Sequence, residues 1–289
     1  IGGEKIIMKK YARVMRMDSL EKLVKKGGDF TGVILGHENC PQYYRQIHVP
    51  ELIGYAVKNG FDVKVNIPVI FEDFLDEFKE EACRIIEEYP QVKLFVNDWG
   101  MLYYLHGRYP ERTFGAGKGI SFTYADNPWN EHILLAEKEK YQEALKAANM
   151  QNQDTIDQLK LLGIDEIEMS DLELSEGAYR HMNDEGFIVS INKGMTVATM
   201  SRACHCLRFI DKLDEMGSCM EYCTKGIVLS IKDYYDMANN DHKPVSPETK
   251  SIQPDMCVDG NITMVKNIQP AGDYTGVSCM IYDERIMDI

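Results

Sequence analysis

Residues 31–40, TGVILGHENC, decide how the chain reads. The run 31–36 is short, apolar and unbroken, the pattern of a parallel strand covered on both faces. Polar residues and then Cys40 follow at once. In parallel α/β folds the loops after the C-terminal ends of strands build the sites, so this stretch predicts a strand that delivers a functional loop. Upstream, 18–28 (DSLEKLVKKGG) places Leu20, Leu23 and Val24 at helical spacing and stops at Gly27 and Gly28.

Working outward, the same unit recurs. Residues 49–59 read as a helix closed by Gly60, and 61–68 (FDVKVNIP) as a strand carrying Asn66 near its end. An acidic helix over 71–89 keeps Phe74, Phe78, Ala82, Ile85 and Ile86 on one face; Cys83 falls inside it and reads as core. The strand 92–96 exits into Asn97 and Asp98, 101–105 reads as a short helix, and 112–117 as a short strand. The sequence GAGKG over 115–119 meets neither the Walker nor the dinucleotide spacing, so it does not mark a phosphate loop. Helical residues fill 131–161 up to Gly163. The strand 164–169 ends near Glu168, Ser170 and Asp171, and Ser170 to Glu173 has capping-box spacing. The strand 187–192 leads to Lys193 and Gly194. Further strands are expected at 226–231, 261–265 and 277–282, with a helix near 233–238 and a polar excursion over 239–254.

The strand candidates centre near 34, 64, 95, 114, 167, 189, 228 and 279 and alternate with helices over much of the chain. That alternation predicts an α/β fold of TIM-barrel-like (β/α) type, with incompleteness or distortion allowed, as a single domain over 1–289.

The chemistry concentrates in 200–226, MSRACHCLRFIDKLDEMGSCMEYCTKG, which holds four of the eight cysteines. Twelve residues separate Cys206 from Cys219 and three separate Cys219 from Cys223, with Cys204 two places before Cys206. Soft thiolates at such spacing select iron–sulfur clusters or zinc over hard cations. Cys204, Cys206, Cys219 and Cys223 could close a four-thiolate site unaided, and Cys40 is a candidate ligand from the strand-end loop. His205, between two of these thiols, is an alternative donor, and His37, next to Glu38 and close to Cys40, is expected near the cluster. Glu38, Asn66, Asn97, Asp98, Glu168 and Lys193 share the strand-end edge with Cys40 and are candidate substrate-binding residues; taken singly, each is equally a cap, a turn or a surface contact.

The balance of 32 basic and 46 acidic residues gives a formal charge of −14, which repels phosphate backbones in the absence of a basic patch. The longest apolar runs are of strand length, far below the ~20 residues of a membrane span. Met8 reads as a natural start, no secretory signal is recognisable, and eight cysteines without one point to a reducing cytoplasm.

Together GHENC, the sequence Asn97–Asp98–Trp99–Gly100 after a strand, RTFGAG, EMSDLELS and the cysteine loop resemble the peptidase U32 family, and within it the short iron–sulfur members of the UbiU and UbiV type. The resemblance covers about 30–230, and the cysteine pattern is its most specific part. It implies a β/α-barrel core with a [4Fe–4S] cluster held by Cys40, Cys206, Cys219 and Cys223, with Cys204 as the alternative to Cys206. It also implies a part in anaerobic, oxygen-independent hydroxylation of a quinone-precursor-like or other small organic substrate, and a heterodimer with another member. Some relatives hydroxylate RNA bases instead. Where many members carry His-Gly, this chain has Lys193–Gly194. The inherited word peptidase finds no Ser/His/Asp or Cys/His set here, and a zinc-holding, non-enzymatic docking subunit is the rival that the thiols themselves admit.

Overall fold

A computed structural model describes residues 8–123, 126, 151–212, 219, 223, 227–229, 256–266 and 270–285. Eight parallel strands close into a barrel: β1 (Lys9–Arg13), β2 (Gly32–Gly36), β3 (Asp62–Ile67), β4 (Lys93–Val96), β5 (Phe114–Ala116), β6 (Ile164–Ser170), β7 (Ile188–Asn192) and β12 (Val277–Asp283), the last returning between β7 and β1. Helices α1 (Met17–Lys26), α2 (Pro41–Gln46), α3 (Val49–Lys58), α4 (Leu75–Glu88), α5 (Trp99–Arg108), α6 (Gln153–Leu161) and α7 (Glu176–Asp184) occupy the crossovers. This is the TIM-barrel-like α/β architecture.

Two departures from the sequence reading bear on the site. The strand expected near 228 is not in the barrel. It is β9 (Ile227–Leu229), the edge of a four-stranded antiparallel sheet ordered β8 (Met195–Met200), β11 (Ile262–Lys266), β10 (Met256–Asp259), β9. Its barrel place is taken by β1, in which Tyr11 and Arg13 stand on the same side of a strand that also exposes Lys9. A strand whose lumen face carries Arg has no apolar run to betray it. The expected helix near 233–238, the excursion 239–254 and, of the helical stretch expected over 131–161, all of 131–150 lie outside the described residues.

The apolar core lies between barrel and helices. On α4, Phe78, Ala82, Ile85 and Ile86 form a buried stripe at helical spacing, each large side chain worth ~1.5–3 kcal/mol on burial. The lumen, by contrast, is polar. Lys64 Nζ lies 2.5 Å from Glu166 and 3.9 Å from the centre of the Tyr11 ring. Lys93 reaches the other Glu166 oxygen at 3.4 Å. Burial alone would raise the Glu166 carboxyl, but Lys64 and Lys93 hold it below its ordinary range.

Close strand approach explains Gly32: a Cβ there would stand 2.3 Å from the Asp62 carbonyl and 2.5 Å from the Tyr11 ring. The carbonyl is backbone and cannot swing aside. Gly32→Ala is expected to cost about 1–3 kcal/mol through overpacking, read as a lower urea midpoint with unchanged slope; an unchanged midpoint would refute the contact.

Candidate functional site

The barrel's C-terminal mouth gathers an ionic layer that starts at Arg13, fully buried at the end of β1. Its guanidinium lies 2.7 Å from Glu168, 3.4 Å from Asp283 and 3.5 Å from Glu38. Asn192 Nδ2 donates to the same Glu168 oxygen at 2.7 Å. Arg285 continues the layer outward, 2.6 Å from Glu38, 2.6 Å from Asp283 and 3.2 Å from Asp259. Burial opposes ionisation of Glu38, yet Arg285 and Arg13 hold its carboxyl far below the usual range. Asp259 is likewise held low, burial being outweighed by His37 and Arg285.

From there the layer reaches the thiols. His37 Nε2 faces Asp259 at 3.5 Å, while Nδ1 accepts from the amides of Asn39 at 3.1 Å and Cys40 at 3.0 Å. Two amide donors at Nδ1 fix the proton on Nε2. Cys40 caps α2, its sulfur accepting from the Tyr43 amide at 3.5 Å. Cys204 caps the short helix α8 (His205–Phe209) in the same manner, accepting from the Leu207 amide at 3.4 Å.

Cys204, Cys206 and Cys223 pack in one buried cluster with Leu207 and Val258. Gly260, in the two-residue turn between β10 and β11, is their common neighbour: its carbonyl takes the Cys204 thiol at 3.4 Å and the Cys206 amide at 3.2 Å, and its amide supports the Cys223 sulfur. The fourth thiol closes the ring, since a Cβ on Gly260 would lie 3.5 Å from Cys40 Sγ. The Cys206 thiol donates to the Val258 carbonyl at 3.8 Å, and its closeness to the other two sulfurs pulls Cys204 down to about 6 and lowers Cys223. Burial pushes Cys40 up.

In this thiol form no three His, Cys, Asp or Glu side chains among the described residues stand in metal-holding geometry. The donor chemistry nevertheless fits a soft metal centre: three buried thiols and the half-buried Cys40 share one glycine, and backbone amides already point at three of the four sulfurs. Cys219 is half-buried; residues 213–218 and 220–222 around it lie outside the described residues.

Other expected site residues divide. Glu38, Glu168 and Asn66 are buried at the mouth, and neither side-chain polar atom of Asn66 has a partner among the described residues. Asn97 is tied down by Ile67 and Gly119, with contacts of 3.0 and 3.1 Å. Asp98 is a helix cap, accepting from Met101 at 3.1 Å. Lys193 pairs with Asp171 at 2.9 Å and bonds Tyr274. The capping box expected from Ser170 does not form: Ser170 ends β6, and Asp171 instead accepts from Ala271 and Tyr274, each at 3.1 Å. Both nitrogens of His205 are engaged, with Ser201 at 2.9 Å and Thr263 at 3.0 Å. In the loop after β5, Lys118 pairs with buried Asp126 at 2.8 Å, so its charge serves the fold rather than a phosphate.

A cavity of about 250 Å³ abuts the thiols, lined among others by Arg16, Tyr43, Cys223, Cys257 and Arg285. The Tyr43 hydroxyl accepts from Arg16 at 3.2 Å, and its ring meets His37 edge-on at 5.4 Å. Burial raises the Glu284 carboxyl on the same wall. None of Arg13, Arg16, Tyr43, Asp259, Asp283 or Arg285 was singled out by the sequence reading. The hairpin signal Gly260–Asn261 between two strand-forming runs was there to find. No helix among the described residues is long and apolar enough to cross a membrane. The chain matches no protein-family model and no curated protein.

Proposed function

We propose that this chain is a [4Fe–4S] protein of the peptidase U32 type, acting with a partner of that family in oxygen-independent hydroxylation of a small organic substrate in the cytoplasm. The observation that carries the reading is the meeting of Cys40, Cys204, Cys206 and Cys223 around Gly260 at the mouth of the barrel. Cys40 and Cys223, with Cys206 or Cys204 and with Cys219, would hold the cluster. A cluster whose irons are all thiolate-bound supplies electron transfer.

The chain's own residues supply the setting. The cavity beside Cys223 is where a small molecule would sit. The Tyr43 hydroxyl accepts from Arg16 and so keeps its own proton to donate to a substrate oxygen. The fixed ion pairs of Arg13 and Arg285 hold the mouth rigid and exclude water from beneath the thiols. Glu168 and Asn66 offer unpartnered buried oxygens deeper in the mouth.

Iron and sulfide analysis with an absorption spectrum, on protein purified without oxygen, tests this. About four irons with matching sulfide and a broad band near ~400 nm are expected of the cluster. A colourless protein with one zinc would overturn it in favour of the docking subunit, to which the same thiols are suited. Tight, salt-sensitive RNA binding would move the substrate to RNA bases, against the charge of −14.

A further inference from the structure

We infer that the turn Asp259–Gly260–Asn261 is the positioning element of the thiol centre, holding the Cys40 loop against the Cys204–Cys206 loop. The inference rests on the reading of these thiols as one centre. The two loops leave different sheets, β2 of the barrel and β8 of the antiparallel sheet, so neither sheet's hydrogen bonding fixes the distance between them. The turn bonds to both.

Asn261 makes the central link. Its Nδ2 donates to the Asn39 carbonyl at 2.9 Å and to the Ser201 carbonyl at 2.9 Å. The Asn39 side chain returns a bond to the Asn261 carbonyl, across 222 residues of sequence, and that carbonyl also accepts the Ser201 amide at 3.1 Å. One asparagine on each side thus binds the other's backbone. Both are essentially inaccessible to solvent, so each bond lost leaves buried polar groups unsatisfied.

Gly260 addresses the cysteines directly, and Asp259, at the end of β10, does so through His37. The Gly260 carbonyl accepts from His205 and Cys206 amides at 2.8 and 3.2 Å and from the Cys204 thiol. Its φ of +59° and its contact with Cys40 Cβ, 3.3 Å from where a Cβ would be, both call for glycine. Asp259 faces the His37 ring that carries the Cys40 amide. The bonds run to the cysteines or to residues within three positions of them, the arrangement by which surrounding groups orient metal ligands.

Dibromobimane, which fluoresces on bridging two nearby thiols, tests this in the full-length, reduced, metal-free chain, with bridged peptides mapped by mass spectrometry. The native protein should link Cys40 to Cys204, Cys206 or Cys223. Asn261→Ala should lower the Cys40 links severalfold and leave the Cys204–Cys206 link, internal to one loop, unchanged. Cobalt(II) affinity should fall about 10- to 100-fold, the usual cost of removing an orienting partner. Asn39→Ser, milder because it removes one donor and keeps a small polar group, should act in the same direction and decides the matter if circular dichroism shows Asn261→Ala unfolded. Cys40 links at native yield in a folded variant would overturn the proposal. A native chain that cross-links yet takes up no iron would instead refute the cluster and leave the positioning role standing.

Discussion

Cys223→Ala should strip the protein of its iron, while Cys83→Ala leaves the content unchanged. Cys223 is buried with Cys204 and Cys206 and lines the cavity. Cys83 stands on the helix α4, where its sulfur meets the Tyr104 hydroxyl at 3.8 Å, away from the thiols of the centre. Removing one thiolate from a four-thiolate cluster opens an iron to water and oxygen, so occupancy should drop from about four irons per chain to well below one. Cys204→Ala and Cys206→Ala then separate the neighbouring pair: the ligand variant loses iron, and the other keeps it with a shifted spectrum. Iron and sulfide assays on anaerobically reconstituted variants read this directly. Full incorporation by Cys223→Ala would sink the ligand assignment.

What could be read from the sequence was what depends on local pattern. The strands holding 34, 64, 95, 114, 167, 189 and 279 are in the barrel because apolar runs followed by glycine or polar exits are strand signals whatever lies across from them. β1 escaped because its lumen face is Tyr11 and Arg13, paired with Asp62, 51 residues away, and with Glu168 and Asp283, 155 and 270 residues away. The site divides in the same way. Cys40 and the late cysteines were legible as residue types with spacing. Arg285, Asp259 and Gly260 were not, since their meaning lies in closing a barrel and inserting a hairpin that only the fold brings to Cys40. Asp98 and Lys193 show the converse: strand-end polar residues that the structure spends on a cap and on an ion pair.

Arg13→Met should destabilise the fold by about 3–5 kcal/mol near neutral pH, the cost of leaving a buried charge without its partner. The side chain is fully buried among Glu168, Asp283 and Glu38, and only the last two retain Arg285. Methionine matches the arginine stem in volume, so packing loss is small and the deficit reports the carboxylates. Its pH dependence follows from Glu38. The folded carboxyl lies below its unfolded value of ~4.3, so the stability it contributes is fully present above that pH and is lost as pH falls through the folded value. Without Arg13 that depression shrinks, and protonation relieves the variant sooner than the native chain. The gap in stability should therefore be widest above about pH 5 and narrow below about pH 4, as urea melts at the two pH values would measure. A gap that stayed constant with pH would mean that packing, not charge, is what Arg13 supplies. Because the same arginine joins the barrel lumen to Glu38, and Arg285 joins Glu38 through Asp259 to the histidine that carries the Cys40 amide, an ionic origin would also tie the integrity of the thiol centre to the charge state of the barrel mouth.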